Sequence, residues 1–179
     1  SAWLLTGATV SNVFFFSLLL LFVVSAIDDW RGLPVIARLA AHLFAGAAVS
    51  TELLLPNHGL GAVFIATIGV VWMTNLYNFM DGSNGMAGFQ GVFAGLMLAW
   101  LFDRANDYPA TVLCLVLAVA CLGFLPWNLG RAKVFMGDVA SGSLGFAIAS
   151  LLIYAVFSEE VSVPVAWLVM LVFLCDSTL

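Results

Sequence analysis

Helix-length apolar runs fill this chain, and three short acidic segments interrupt them. The first is Asp28-Asp29-Trp30-Arg31-Gly32. The second runs from Asn75 through Asn78, Asp81 and Asn84 to Gly85. The third is Phe135-Met136-Gly137-Asp138. A fourth polar stretch, Asp103 to Asp107, reads as an ordinary loop. An apolar helix needs about 20 residues to cross a bilayer. The runs have that length and lack the strict alternation of barrel strands. They divide into seven spans, roughly 9–27, 35–55, 60–77, 86–102, 109–127, 139–157 and 162–178. Counting crossings places all three acidic segments on one face, the layout of an active site at a membrane surface.

Composition supports the same class. The chain is 64% hydrophobic and 8% charged, with mean hydropathy +1.14, whereas soluble domains carry about 25% charged residues. The fold class expected is all-α, a polytopic transmembrane helix bundle. The coupling of several loops argues for a single transmembrane catalytic domain over 1–179. The chain reads as truncated at both ends: it opens without an initiator Met and stops where a loop should begin. Its first apolar run has no basic leader or cleavage site and so is not a signal peptide. Net charge is −5, with no basic nucleic-acid footprint. Cys114, Cys121 and Cys175 lie within apolar runs and read as small packing residues.

Five basic residues set the orientation. Arg31 and Arg38 flank the first acidic segment, and Arg131 and Lys133 precede Asp138. Arg104 falls on the other side. The positive-inside rule therefore places the 28–34, 78–86 and 128–138 loops in the cytoplasm.

Each acidic segment has a plain structural reading beside a chemical one. Asp28-Asp29 could be a solvated helix end. Two adjacent carboxylates repel, however, and a helix C-terminus is already negative. A cation would offset that cost, and magnesium prefers hard oxygen ligands while keeping waters for phosphates. Asn75, Asn78 and Asp81 recur at i+3, which puts them on one side of a helix end. Gly82 and Gly85 then release the helix. The alternative is an Asn- and Gly-rich cap. Asp138 could N-cap the next helix. Arg131 and Lys133 suit phosphate contacts, and Phe135 could stack on a base or anchor in lipid. Gly142 and Gly145 form a small-residue stripe suited to close helix packing. His42 reads as a buried, hydrogen-bonded histidine. Four carboxylates, Asp28, Asp29, Asp81 and Asp138, with amides and a few cations nearby, form a toolkit for magnesium-dependent phosphoryl transfer. The acceptor should be lipid-borne because the site lies against the bilayer.

At these residues the chain resembles the polyprenyl-phosphate N-acetylhexosamine-1-phosphate transferases, glycosyltransferase family 4. The resemblance rests on Asp28-Asp29-x-x-Gly32, on Asn75-x-x-Asn78-Phe79-Met80-Asp81-Gly82-x-Asn84-Gly85, and on Phe135-Met136-Gly137-Asp138. Pro126-Trp127-Asn128 and the Gly-Asp-Val run look most like the bacterial branch that initiates O-antigen synthesis. The family has about ten spans, of which this chain would hold the third to the ninth. The family's His-rich loop would follow Asp176, and Ala140 stands where the family usually has Gly.

The resemblance implies that Asn78 and Asp138 bind Mg²⁺ (or Mn²⁺). It implies that Asp81, Asn84 and Phe135 contact a nucleotide sugar, with Asn75 and Lys133 also on the substrate side. Asp28 and Asp29, with Asp81, would be the catalytic carboxylates, the first two acting at the polyprenyl phosphate. The implied reaction joins UDP-N-acetylhexosamine to undecaprenyl phosphate and releases UMP, on the cytoplasmic face of a bacterial inner membrane. A homodimer is compatible with this class. The competing class is a cation-coupled transporter or channel, which would place polar residues near the bilayer midplane.

Overall fold

The computed structural model describes residues 11–130, 132–158 and 162–171. The elements are α1 (Asn12–Arg31), α2 (Val35–Met80), α3 (Met86–Arg104), α4 (Tyr108–Asn128), α5 (Gly137–Phe157) and the short α6 (Val163–Val169). No strand occurs among the described residues. Five of these helices are long and apolar enough to cross a membrane. The chain is a multi-pass membrane protein, and every regular element among the described residues is a helix.

Helix α2 is two crossings. Its 46 residues would reach roughly 69 Å if straight, over twice the hydrocarbon thickness of a bilayer. The backbone breaks at Gly59, at φ 75° and ψ 179°, a left-handed φ that glycine adopts at little cost. The chain then doubles back. His42 in the first half meets Asn75 in the second, and a Cβ on Gly46 would lie 3.4 Å from Val70. Both pairs are centred near residue 58, as a hairpin requires. The sequence reading places a loop at 56–59 between two spans. Helix instead continues through Pro56 and reverses at Gly59 alone. Counting both halves gives six crossings among the described residues. Of the seventh expected span, 162–178, the structure describes only α6 and its flanks, and 172–178 lie outside the described residues.

Small residues bring the helices together. A Cβ on Gly145 would sit 2.6 Å from Tyr77 and 3.1 Å from the Thr74 Cα. Helix α5 thus presses onto the second half of α2 with no side chain between. Gly91 and Gly95 do the same for α3 against α4, where a Cβ would meet Cys121 and Ala118. Close backbone packing of this kind drives association where lipid offers no hydrophobic gain. The expected stripe on α5 therefore serves packing, and α5 is the most buried of the crossings. Large apolar side chains such as Phe16, Ile36, Phe44, Leu60 and Ile65 face outward, as lipid-facing positions do. Trp30, Trp100 and Trp127 are exposed near helix ends, where interfacial anchors sit, whereas exposed Trp72 lies two turns inside α2.

The two ends of the bundle differ in chemistry. At one end Asp107 caps α4, accepting from the Ala110 N–H at 3.1 Å and from the Tyr154 hydroxyl at 2.9 Å. Glu52 accepts from the Ser11 hydroxyl there. These contacts tie loops to helices, and the 103–107 stretch is structural. The other end gathers the acidic segments.

Candidate active site

Three helix ends, of α1, α2 and α4, and three helix starts, of α2, α3 and α5, converge at the acidic end. Helix α1 stops at Gly32, whose φ of 68° closes the turn. Pro34 then starts α2 in extended conformation. This tight reversal sets Asp28, in the last turn of α1, beside Arg38, in the first turn of α2. Each charge is wrong for its own helix dipole, and together they neutralise one another. Arg38 Nη1 donates to Asp28 Oδ2 at 2.8 Å and to Asp138 Oδ2 at 3.0 Å. The second carboxylate comes from the first turn of α5, 100 residues away. Asp28 also accepts from the Leu33 N–H through Oδ1. Its side chain is only 8% exposed, against 34% for Arg38.

Asp81 closes the other side. It ends α2, and its Oδ2 accepts the Gly137 N–H at 3.0 Å. Its Oδ1 is buried with no partner among the described residues. Burial pushes the Asp81 carboxyl above the ordinary carboxylate value. The backbone N–H groups of Gly137 and Met136 pull it back, and Asp138 pushes it up again. Gly137 has φ 67°, and a Cβ there would stand 3.2 Å from Asp29 Oδ2. Arg38 thus bonds Asp28 and Asp138, Gly137 bonds Asp81, and Asp29 lies beside Gly137.

The asparagines divide. Asn75 donates to His42 Nδ1 at 3.2 Å and to the Val71 carbonyl at 2.7 Å. Asn78 accepts from the Ser141 hydroxyl at 2.7 Å through Oδ1. Asn75, Asn78 and Asp81 share one side of α2, yet each reaches a different partner. Asn75 and Asn78 do meet Arg38, His42 and Asp138 around a single cavity of about 120 Å³. That is room for a few waters. His42 is buried and hydrogen-bonded, as its place in the sequence suggests. Asp138 does not cap α5. Met136 holds the N-cap position without a side-chain bond, and Asp138 turns to Arg38.

Asn84, Lys133 and Phe135 lie on the rim. Asn84 is exposed and donates to the Gly130 carbonyl at 2.6 Å. Lys133 is exposed. Phe135 is half exposed at one end of an apolar cavity of about 430 Å³ between α1, α4 and α5. Arg131, expected to contact phosphate, lies outside the described residues.

Sequence reasoning passed over Arg38 as a site residue, using it only for topology. The signal was there: a cation in the first turn of a helix needs anions nearby. It also passed over Ser141 and Asn128. Asn128 is fully buried at the end of α4. Its Oδ1 accepts the Gly85 N–H at 2.6 Å and its Nδ2 donates to the Val134 carbonyl at 2.8 Å. One amide thus clamps the Asn84 loop to the segment leading into Phe135.

Could this end hold a cation? Among the described residues no three His, Cys, Asp or Glu side chains stand close enough to form a site by themselves. Magnesium keeps several waters and commonly takes one or two protein carboxylates plus substrate phosphates. Asp138 and the Asn78 amide oxygen border one polar cavity and supply such a partial set. A carbonyl oxygen has two lone pairs, so the bond from Ser141 leaves Asn78 one to offer. The unpartnered Asp81 Oδ1 is a further buried acceptor beside them. The residues fit a hard cation that completes its shell elsewhere.

An all-helical membrane bundle with a carboxylate cluster at one end defines a class, and comparison with known proteins gives it a family. The model of glycosyl transferase family 4 matches residues 11–156, and the chain belongs to that family. It is 32% identical over 153 residues to a decaprenyl-phosphate N-acetylglucosaminephosphotransferase of Mycolicibacterium smegmatis, covering 73% of this chain and 38% of the relative. It is 31% identical over 137 residues to an undecaprenyl-phosphate alpha-N-acetylglucosaminyl 1-phosphate transferase of Thermotoga maritima, covering 75% and 42%. A phospho-N-acetylmuramoyl-pentapeptide-transferase of Streptococcus uberis is 37% identical over 97 residues, covering 54% and 29%. The matches span about two fifths of the first two relatives' length. The family match gives the transporter reading no support.

Proposed function

We propose that this chain forms the core of an enzyme that transfers N-acetylhexosamine 1-phosphate from a UDP-sugar to undecaprenyl phosphate. The observation that carries the proposal is the gathering of Asp28, Asp29, Asp81 and Asp138 at one end of a membrane bundle, where Arg38 bonds Asp28 and Asp138, Gly137 bonds Asp81, and Asp29 lies beside Gly137. The names of the relatives support the general reaction, with a polyprenyl phosphate as acceptor and an N-acetylated sugar in the donor. They differ in the sugar and leave it open. The finer reading, an O-antigen-initiating enzyme of the bacterial inner membrane with its site in the cytoplasm, rests on Pro126-Trp127-Asn128 and on the basic residues flanking the acidic loops.

In this reading Asp138 and Asn78 hold Mg²⁺. Bound there, the ion would relieve repulsion between the two phosphate-bearing substrates. The chain's own residues do the rest. Asn84, Lys133 and Phe135, on the rim, receive the nucleotide sugar, with Asn75 and Asp81 beneath them. Asp29, exposed beside Gly137, receives the lipid phosphate, and Asp28 holds Arg38 at that end. A phosphate monoester has its second pKa near 6, so the acceptor is largely dianionic at neutral pH and needs little base. The acceptor oxygen attacks the sugar-linked phosphorus directly and in line, the diphosphate bond breaks and UMP leaves, with a carboxylate positioning the acceptor or taking its residual proton.

The test uses the full-length enzyme in detergent or nanodiscs, with a panel of UDP-sugars and undecaprenyl phosphate. UMP should be released only when both substrates are present. Asp138→Asn should lower turnover by on the order of 10² while the protein still folds. Normal turnover and normal magnesium dependence in that variant would refute the metal assignment.

A further inference from the structure

We infer that Arg38 is a built-in counter-cation that competes with a divalent ion for Asp138 and so sets the metal affinity of the site. The inference rests on the metal reading above and extends it to a residue outside the expected ligand set.

The geometry is specific. A single nitrogen, Arg38 Nη1, contacts one oxygen of each of two carboxylates that come from different helices. Asp28 is the fixed partner. It is nearly buried, and both of its oxygens are engaged, one by Arg38 and one by the Leu33 N–H. Asp138 is the open partner. Its side chain is 28% exposed, it borders the polar cavity, and its only ion pair among the described residues is to Arg38. The Arg38 side chain is a third exposed, which gives its guanidinium room to leave Asp138 without leaving Asp28.

Charge explains why the arrangement would compete and not simply block. Arg38 bonds two of the carboxylates at this end, Asp28 and Asp138. One guanidinium offsets only one of those two charges. It lowers their repulsion enough to hold the helix ends together and leaves the pair with a net negative charge that still attracts a divalent ion. A cation arriving at Asp138 must displace one hydrogen bond and accept a positive neighbour. Removing that neighbour should therefore tighten metal binding. An opposite charge within a few ångströms shifts a carboxylate's affinity for protons by one to three decades, so a gain of about tenfold in metal affinity is expected.

The experiment is a Mn²⁺ titration of the purified full-length protein without substrates, with free ion read by electron paramagnetic resonance. Arg38→Gln should bind Mn²⁺ about tenfold more tightly than wild type, while Arg38→Lys, which keeps the charge, should stay within about threefold. Asp138→Asn should bind more weakly. Unchanged or weaker binding in Arg38→Gln, with Asp138→Asn weakened, overturns the role of Arg38 and leaves the metal site standing. Unchanged binding in Asp138→Asn overturns the metal site itself. Tightening in Arg38→Lys equal to that in Arg38→Gln would mean that packing, not charge, controls affinity, and also overturns the inference. Should Arg38→Gln fail to fold, Arg38→Met removes the same charge, keeps the aliphatic stem and is judged by the same criterion.

Discussion

Asp81 and Gly137 share one hydrogen bond, from the glycine N–H to Asp81 Oδ2 at 3.0 Å, while the other Asp81 oxygen is buried without a hydrogen-bond partner among the described residues. That pairing joins the end of α2 to the start of α5. It also leaves a carboxylate incompletely satisfied where charge is costly to bury.

The first prediction follows from that cost. Burial raises the Asp81 pKa above its ordinary 3.8, so the native state binds more protons here than the unfolded chain. Stability from this group is then fully present below the ordinary value and is lost as pH rises through the raised folded value. Asp81→Asn has nothing to ionise. Thermal unfolding in detergent with chelator, scanned from acid to neutral pH, should show wild type losing stability relative to Asp81→Asn across that window. A gap that moves the other way would show that the two backbone N–H groups outweigh burial.

The second prediction concerns Gly137. Its φ of 67° is a conformation that costs a residue with a Cβ about 1–2 kcal/mol. That Cβ would also press on Asp29 at 3.2 Å. Gly137→Ala should lower the melting temperature and disturb Asp29 at once. Turnover should fall further than the loss of folded protein explains. Equal losses in the two measurements would mean that the glycine serves only the backbone.

A third prediction tests the Asn128 clamp. Asn128→Ala strands the buried Gly85 N–H, at about 1–3 kcal/mol, while the carbonyl of exposed Val134 can turn to water. Asn128→Asp keeps the acceptor for Gly85 but sets a buried carboxylate against the Val134 carbonyl, so it should also be less stable than wild type at neutral pH. An alanine variant as stable as wild type would show that water replaces the amide.

Much of this was legible in the chain. The apolar run lengths gave the crossings, and crossing parity gave the shared end for Asp28, Asp81 and Asp138. The three-residue spacing placed Asn75, Asn78 and Asp81 along one side of a helix. Partners were harder. Nothing local says that Arg38 reaches an aspartate 100 residues on, or that Asn78 meets Ser141. Those pairs depend on how closely Gly145 lets α5 approach α2, a tertiary distance. The reversal at Gly59 was read as a loop because Pro56 and Gly59 both signal turns, yet only the glycine breaks the helix.

A fourth prediction concerns sidedness. A cysteine at Ser83 or Gly130, both exposed at the acidic end, should react with an impermeant thiol reagent only from the cytoplasmic side. One at Asn57, beside the Gly59 reversal, should react only from outside. Labelling of Ser83 and Asn57 from one side would contradict the hairpin in α2.

The last prediction separates the two adjacent aspartates, which the sequence treats alike. Asp28 has both oxygens occupied, by Arg38 and by the Leu33 N–H, and is nearly buried. Asp29 is exposed and faces Gly137. A carboxylate that is already saturated is poorly placed to take a proton or to attack phosphorus, whereas an open one can do either. Asp28→Asn should therefore act through Arg38: it should cost stability and change metal affinity, and the turnover that remains should keep the wild-type pH profile. Asp29→Asn should fold normally and change the pH profile. With direct transfer its residual activity should rise as the lipid phosphate passes its second pKa near 6, because the dianion reacts unaided. If Asp29 instead forms a covalent phosphoryl intermediate, its Asn variant should be inactive at every pH. Wild-type enzyme without acceptor should then release one UMP per site. Rapid-quench measurement of UMP without undecaprenyl phosphate decides between the routes, and a stoichiometric burst would overturn direct transfer.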